Sequence, residues 1–187
     1  MSQLITHSSL VHDLQRLGVE KGMHLLVHCA FGQLGQWVCG DALALIEALQ
    51  ATLGETGTLM MPTHTAQVSE PSLWINPPVP EAWWPTIREQ MPLFDARSTP
   101  TLGMGLLAET FRTQPGVLRS DHPLVSFAAR GAQAAYLLQN HSLSHSMGPE
   151  SPLGRFYALG GQVLLIGVGY DVCTSFHLAE HFMPPPL

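Results

Sequence analysis

Charge is scarce in this sequence. Asp, Glu, Lys and Arg make up 12% of its 187 residues, against about 25% in an ordinary soluble protein, and no cluster of Lys or Arg occurs along it. With a net charge of −6, that absence removes the basic footprint of a phosphate-backbone binder, so no nucleic-acid partner is expected. Cysteines number three, Cys29, Cys39 and Cys173, with no CxxC spacing. They indicate neither a disulfide framework nor a thiolate metal site, and reduced thiols in a cytoplasm are expected. No apolar run reaches the roughly 18 residues of a membrane span. The N-terminus also lacks the charged and apolar regions of a secretion signal, so the expected localisation is cytoplasmic, with no membrane partner.

What is present is apolar and glycine-punctuated: 45% hydrophobic residues, Gly 17 and Pro 15, enough for one domain, residues 1–187, with a sizeable core. Leu10, Val11, Leu14 and Leu17 form a helical stripe, with Ser8 or Ser9 as cap and Gly18 as stop. "GDALALIEALQATLGETG" reads as a second helix, with Asp41 near its start and Gly54 past its end. "MGLLAETFRTQP", "GAQAAYLLQNH" and "YDVCTSFHLAEH" read as further helices, the last capped by Thr174 or Ser175. Apolar runs at Leu25 to Val27, "TLMMP", "SFAARG" and "GQVLLIGVG" read as strands. Residues 66–100 carry Trp74, Trp83 and Trp84 with little periodicity and are expected to be an ordered, packed loop. Alternating strands and helices predict an α/β fold, a layered α/β/α sandwich around a mixed, largely parallel sheet. Chemistry in such a fold gathers where strands end, here after Val27, Met61 and Val168.

"HLAEH", residues 177 to 181, matches H-x-x-E-H, in which two imidazoles hold zinc and a glutamate moves protons. On a helix His177 and His181 share a face. A catalytic zinc needs a third protein ligand, and no downstream carboxylate follows in "FMPPPL", so no metal is expected.

Several segments together carry a different reading: "LLVHCAFGQLG", "GETGTLMMPTHT", "WINPPVPEAWWPTIREQMPLFD", "TPTLGMGLLAETFRTQPGVLRSDHPLVSFAARG", "GPESPLGRFYALGGQVLLIGVG" and "TSFHLAEH". In order and spacing, from about Leu25 to Glu180, they resemble the aminoglycoside 3-N-acetyltransferases. These antibiotic-resistance enzymes move acetyl from acetyl-CoA to the 3-amino group of a 2-deoxystreptamine ring. The resemblance implies acetyl-CoA as cosubstrate and a polycationic aminoglycoside as partner. Acetyl transfer to an amine needs a base and donors for the oxyanion. His122, in "RSDHPLVSF", is the expected base, with Glu150 or Asp121 orienting the ring and Glu150 preferred because of its "ESPL" segment. The loop His28-Cys29-Ala30-Phe31 is expected to meet the pyrophosphate through its main chain. Thr63 is expected near the thioester, with Arg119 and Ser120 as further phosphate or pantetheine contacts. Asp171, His177 and Glu180 are expected to line the aminoglycoside side, with the tryptophan-rich loop as a wall.

The chain departs from the family in two places. Cys29 and Ala30 stand where serines are usual, removing hydroxyl donors from the CoA loop. Family chains also continue well past the HLAE segment. A shortened C-terminus leaves apolar surface that a homodimer would cover. Two alternatives to the transferase stay open at this point: a non-catalytic CoA or antibiotic binder of the same fold, and a zinc hydrolase using His177, His181 and Glu180.

Overall fold

The computed structural model describes residues 4–35 and 37–183. Helix α1 (His7–Arg16) leads to strand β1 (His24–Cys29), helix α2 (Asp41–Leu53) and strand β2 (Thr58–Pro62). After the insertion, which holds α3 (Trp84–Gln90), come α4 (Gly105–Arg112), β3 (Leu118–Arg119), β4 (Phe127–Gly131) and α5 (Ala134–Leu138). Helix α6 (Pro152–Ala158), strand β5 (Gln162–Ile166) and helix α7 (Phe176–Glu180) complete the described chain. The sheet order is β3-β4-β2-β1-β5. β1 runs parallel to β2 and to β5, with Leu25 opposite Gln162 and Cys29 opposite Ile166, while β4 runs antiparallel to β2 and β3.

Strand alternation divides the core. Leu25, Val27, Leu59, Met61 and Ala128 pack on one face with residues of α1, α2 and α4, while Leu26, Met60, Phe127 and Ala129 pack on the other with α5, α6 and α7. Because both faces are covered, β1 and β2 read as continuous apolar runs rather than alternating ones. The α/β/α layering and the largely parallel sheet are as the sequence predicts.

Local departures have local causes. The cap of α1 is Thr6, not Ser8 or Ser9: Thr6 Oγ1 accepts from the Ser9 amide at 3.2 Å, and Ser9 Oγ accepts from the Thr6 amide at 2.9 Å, a reciprocal capping box. Neither Thr174 nor Ser175 caps α7 with its side chain, because Thr174 is turned towards His28. β5 is not buried on both faces. It is the sheet edge beside β1, and Val163 is 38% exposed.

The insertion is ordered as expected but holds three short 3-10 turns and α3, and Trp83 stands out into solvent at 59% exposure. Trp74 Nε1 donates to Ser69 Oγ at 2.7 Å, and Arg88 lies over the Trp84 ring while pairing with Glu70. Helix α6 arises from the "ESPLGRF" stretch: Ser151 accepts from the amides of Leu153 and Gly154, and Pro152 takes a first-turn position where its missing N–H costs nothing.

Ser151 is fully buried, so no water can replace its hydroxyl when it is removed. Ser151→Ala is expected to lower the unfolding free energy by about 1 to 2 kcal/mol. The shift of the urea midpoint measures this, and an unchanged midpoint would contradict the cap.

Candidate active site

The carboxyl ends of β1 and β2 open into a cavity of about 290 Å³. Its walls are mostly apolar: Val27, Met61, Met104 and Leu107 line it, together with His28, Cys29 and Ala30 from the loop after β1 and Thr174 from the segment before α7. Gly105, at φ +80°, lets the start of α4 approach the Cys29 carbonyl, where a Cβ would stand 3.2 Å from that oxygen. Phe31 belongs to the next turn and lines a shallower hollow with Trp37 and Asp41 instead. A slot of this size and polarity suits a flexible, mostly uncharged arm carrying a thioester.

His28 joins the two sides of this site. Its Nε2 accepts from the Thr174 amide at 3.1 Å and lies 2.9 Å from the Thr174 hydroxyl. The amide contact requires a lone pair on Nε2, so the neutral ring carries its proton on Nδ1. Burial lowers its pKa to about 4.

On the opposite face of the sheet from α4, other imidazoles gather. His64 lies edge-on to Phe127, with ring centroids 5.6 Å apart, and His122 stacks on His141 at 4.6 Å. His141 Nε2 donates to the Ser146 carbonyl at 2.7 Å, leaving Nδ1 to accept from the Ser120 hydroxyl at 2.9 Å. Burial, the larger cause, and neighbouring imidazoles bring His64 to about 4; burial and the His122 and Arg155 charges bring His141 to about 4 against the pull of the Ser146 carbonyl.

Of the expected catalytic residues, His122 is engaged by its own loop. His122 Nδ1 accepts from the amides of Leu124 and Val125, both at 3.1 Å, so in the neutral ring the proton sits on Nε2, which is buried. An imidazole whose free lone pair is already engaged by its own loop is a donor, not a base. Burial lowers its pKa further. Among the described residues neither Asp121 nor Glu150 hydrogen-bonds to it; both are exposed.

Three expected cofactor contacts are likewise engaged within the protein. Thr63 is fully buried, and its hydroxyl pairs with Ser126 Oγ at 3.1 Å. Ser120 Oγ is held between His141 and the Phe127 amide. Arg119 donates to Ser126 Oγ and to the carbonyls of Ala96, Thr99 and Thr63, tying the insertion to the end of β2.

The structure pairs a different imidazole with a carboxylate. His177 Nδ1 lies 3.1 Å from Glu180 Oε2, three residues on along α7, and both side chains are exposed. With Nδ1–H turned to the carboxylate, Nε2 keeps its lone pair and faces outward. This is the arrangement a general base needs, with an acid that fixes the tautomer and stabilises the imidazolium. His181 does not join it: its Nδ1 packs against Gly148, where a Cβ would approach to 3.3 Å. Among the described residues no group of three or more His, Cys, Asp or Glu is placed to hold a metal ion. Asp171, exposed, sits in the turn Tyr170–Val172 ahead of α7. The tryptophans of the insertion do not line the cavity at β1. The sequence reading missed Thr174 as a partner of His28, and it missed His64 and His141 altogether; a histidine next to a strand end was the available signal for His64.

Three buried imidazoles shifted from 6.5 to about 4 make stability depend on pH with a definite sign. The unfolded chain takes up their protons near 6.5 and the folded chain only near 4, so stability is full above 6.5 and falls as the pH drops through this window. Each contributes a slope of up to about 1.4 kcal/mol per pH unit. Thermal midpoints measured from pH 7.5 to 4 are expected to decline, most steeply below 6.5; a flat profile would contradict their burial as neutral rings.

Residues 26–186 match the family described as aminoglycoside 3-N-acetyltransferase. The chain is 46% identical over 180 residues to the SPbeta prophage-derived aminoglycoside N(3′)-acetyltransferase-like protein YokD of Bacillus subtilis, an alignment that takes in 96% of this chain and 66% of that protein. It therefore spans slightly less than two thirds of that relative's length. The crystal structure of YokD superposes with a TM-score of 0.94 over 96% of this chain and 72% of that one. AAC-IIIb, solved as a binary complex with CoASH, matches at 34% identity and a TM-score of 0.87 over 98% of this chain and 67% of that one. A histidine-to-alanine mutant of AAC(3)-IVa in complex with apramycin matches at 34% identity and 0.81 over 100% of this chain and 66% of that one. Agreement of sequence, fold and the order of segments around the cavity means that the chain belongs to the aminoglycoside 3-N-acetyltransferase family.

Proposed function

We propose that the chain is an acetyl-CoA-dependent N-acetyltransferase whose acceptor is the 3-amino group of a 2-deoxystreptamine aminoglycoside, with His177 as general base. The observation that carries this reading is the His177–Glu180 pair, set three residues beyond a threonine that lines an apolar slot at the strand ends. A CoA complex and an apramycin complex among the structural relatives support the two substrates.

In this reading the thioester arm occupies the slot between β1, β2 and the start of α4, and the acceptor approaches from the α7 side. The amine attacks the thioester carbonyl and His177 Nε2 takes the proton that the nitrogen must lose. Glu180 stabilises the imidazolium so formed. Collapse of the tetrahedral intermediate breaks the C–S bond, and the imidazolium returns its proton to the departing thiolate. His28, held neutral, adds no positive charge beside a polycationic acceptor, and the carboxylates of Asp171 and Glu180 attract it. In place of serine hydroxyls, the main chain of Cys29 and Ala30 meets the cofactor.

Purified protein mixed with acetyl-CoA and a 2-deoxystreptamine aminoglycoside is expected to release free CoA thiol. His177→Ala should lower kcat by about 10² to 10⁴, and Glu180→Gln by less. His122→Ala, by contrast, is expected to lower stability while leaving a measurable rate in the folded fraction. Calorimetric CoA binding with no thiol release across a panel of such antibiotics would leave a binder rather than an enzyme.

A further inference from the structure

A second cavity, of about 790 Å³, opens between the C-terminal end of α4, strand β3 and residues 96–98. Arg97, Arg112 and Arg119 line it, three of the chain's eight basic side chains, and no Asp or Glu is among its lining residues. In a protein of net charge −6, that is a local reversal of sign. Of the carboxylates close to it in the sequence, Asp121 is exposed, and Glu109 and Asp95 are bound to residues of the cavity's own rim. Glu109 accepts from Arg112 at 2.9 and 2.5 Å and from the amide and hydroxyl of Thr101, both at 2.8 Å. Asp95 accepts from the amides of Arg97 and Ser98 and from the Ser98 hydroxyl.

Arg119 is half-buried under the Phe94 ring, 5.0 Å from its centroid, and every acceptor it meets is a neutral oxygen. Among the described residues it forms no ion pair. Burial, with the Arg112 charge adding to it, draws its pKa down to about 10 against the pull of the Glu109 and Asp95 carboxylates. The side chain of Arg97 is exposed and, among the described residues, makes no hydrogen bond. Both guanidiniums therefore have electrostatic capacity left for an anion, and the planar fork of Arg suits phosphate oxygens better than any other side chain does.

We propose that this cavity binds a phosphomonoester, with Arg97 as the free contact and Arg119, which has no ion pair among the described residues, as the fixed charge behind it. Two sources supply that chemistry: the 3′-phosphate of CoA, or a separate phosphorylated molecule. α4 separates the two cavities, with Gly105 on the first and Arg112 on the second. Eight helical residues span on the order of 12 Å at 1.5 Å each, so one extended CoA can reach both. The CoA source rests on the acetyl-transfer reading above; the separate ligand does not.

The test is calorimetric titration of wild type and Arg97→Gln with CoA, dephospho-CoA and adenosine 3′,5′-bisphosphate. If the phosphate comes from CoA, wild type binds CoA about tenfold tighter than dephospho-CoA, and Arg97→Gln removes that difference without weakening dephospho-CoA. If the ligand is separate, the bisphosphate binds wild type and loses about tenfold in the variant, while CoA and dephospho-CoA bind equally. Unchanged affinity of Arg97→Gln for every phosphomonoester overturns the proposal. Failure of wild type to bind either CoA or dephospho-CoA overturns the acetyl-transfer reading instead, leaving the bisphosphate result to decide this one.

Discussion

His28 reaches across 146 positions of sequence to take hydrogen bonds from both the amide and the hydroxyl of Thr174. The chain after β5 is otherwise lightly held, with Leu178 as the one α7 side chain in the core. The imidazole at the end of β1 thus decides where α7 begins, and with it where His177 and Glu180 stand. The contact works only with a neutral ring, because a protonated Nε2 has no lone pair for the amide. Desolvation supplies that neutrality.

The same side chain is put to different uses within a small volume. His141 bridges a hydroxyl and a carbonyl, His122 takes two amides of its own loop, His28 ties two elements together, and His177 faces a carboxylate from the surface. Which nitrogen holds the proton follows in each case from the partner of the other. Three of these rings are fixed by main chain or buried hydroxyls, and the fourth is exposed beside the Glu180 carboxylate.

Much of this arrangement is legible in the sequence. Glycine-bounded apolar runs gave away the four longer strands, and Asp41 and Gly54 marked the limits of α2 correctly. β3 was not legible because two residues carry no periodicity, and α6 because its cap, Ser-Pro, also reads as a loop. The edge position of β5 was not legible because composition does not distinguish an interior strand from an edge. Within the site, the segments that form the cavity walls were found, since they stand at strand ends. The hydrogen bonding of His122 was not legible for a physical reason: tautomer and lone-pair direction depend on contacts such as the amides of Leu124 and Val125, and a His-Pro pair in the sequence says nothing of them.

The two borders of the sheet are unequal. One is β3, two residues long, and the other is β5, five residues without a charge or a proline. Among the described residues no strand pairs with Gln162–Ile166 on the side away from β1, while the short opposite border offers little purchase. Lengthening of this sheet therefore has a direction. Any polypeptide that extends it on that side comes to lie alongside β5, the neighbour of the strand that carries His28.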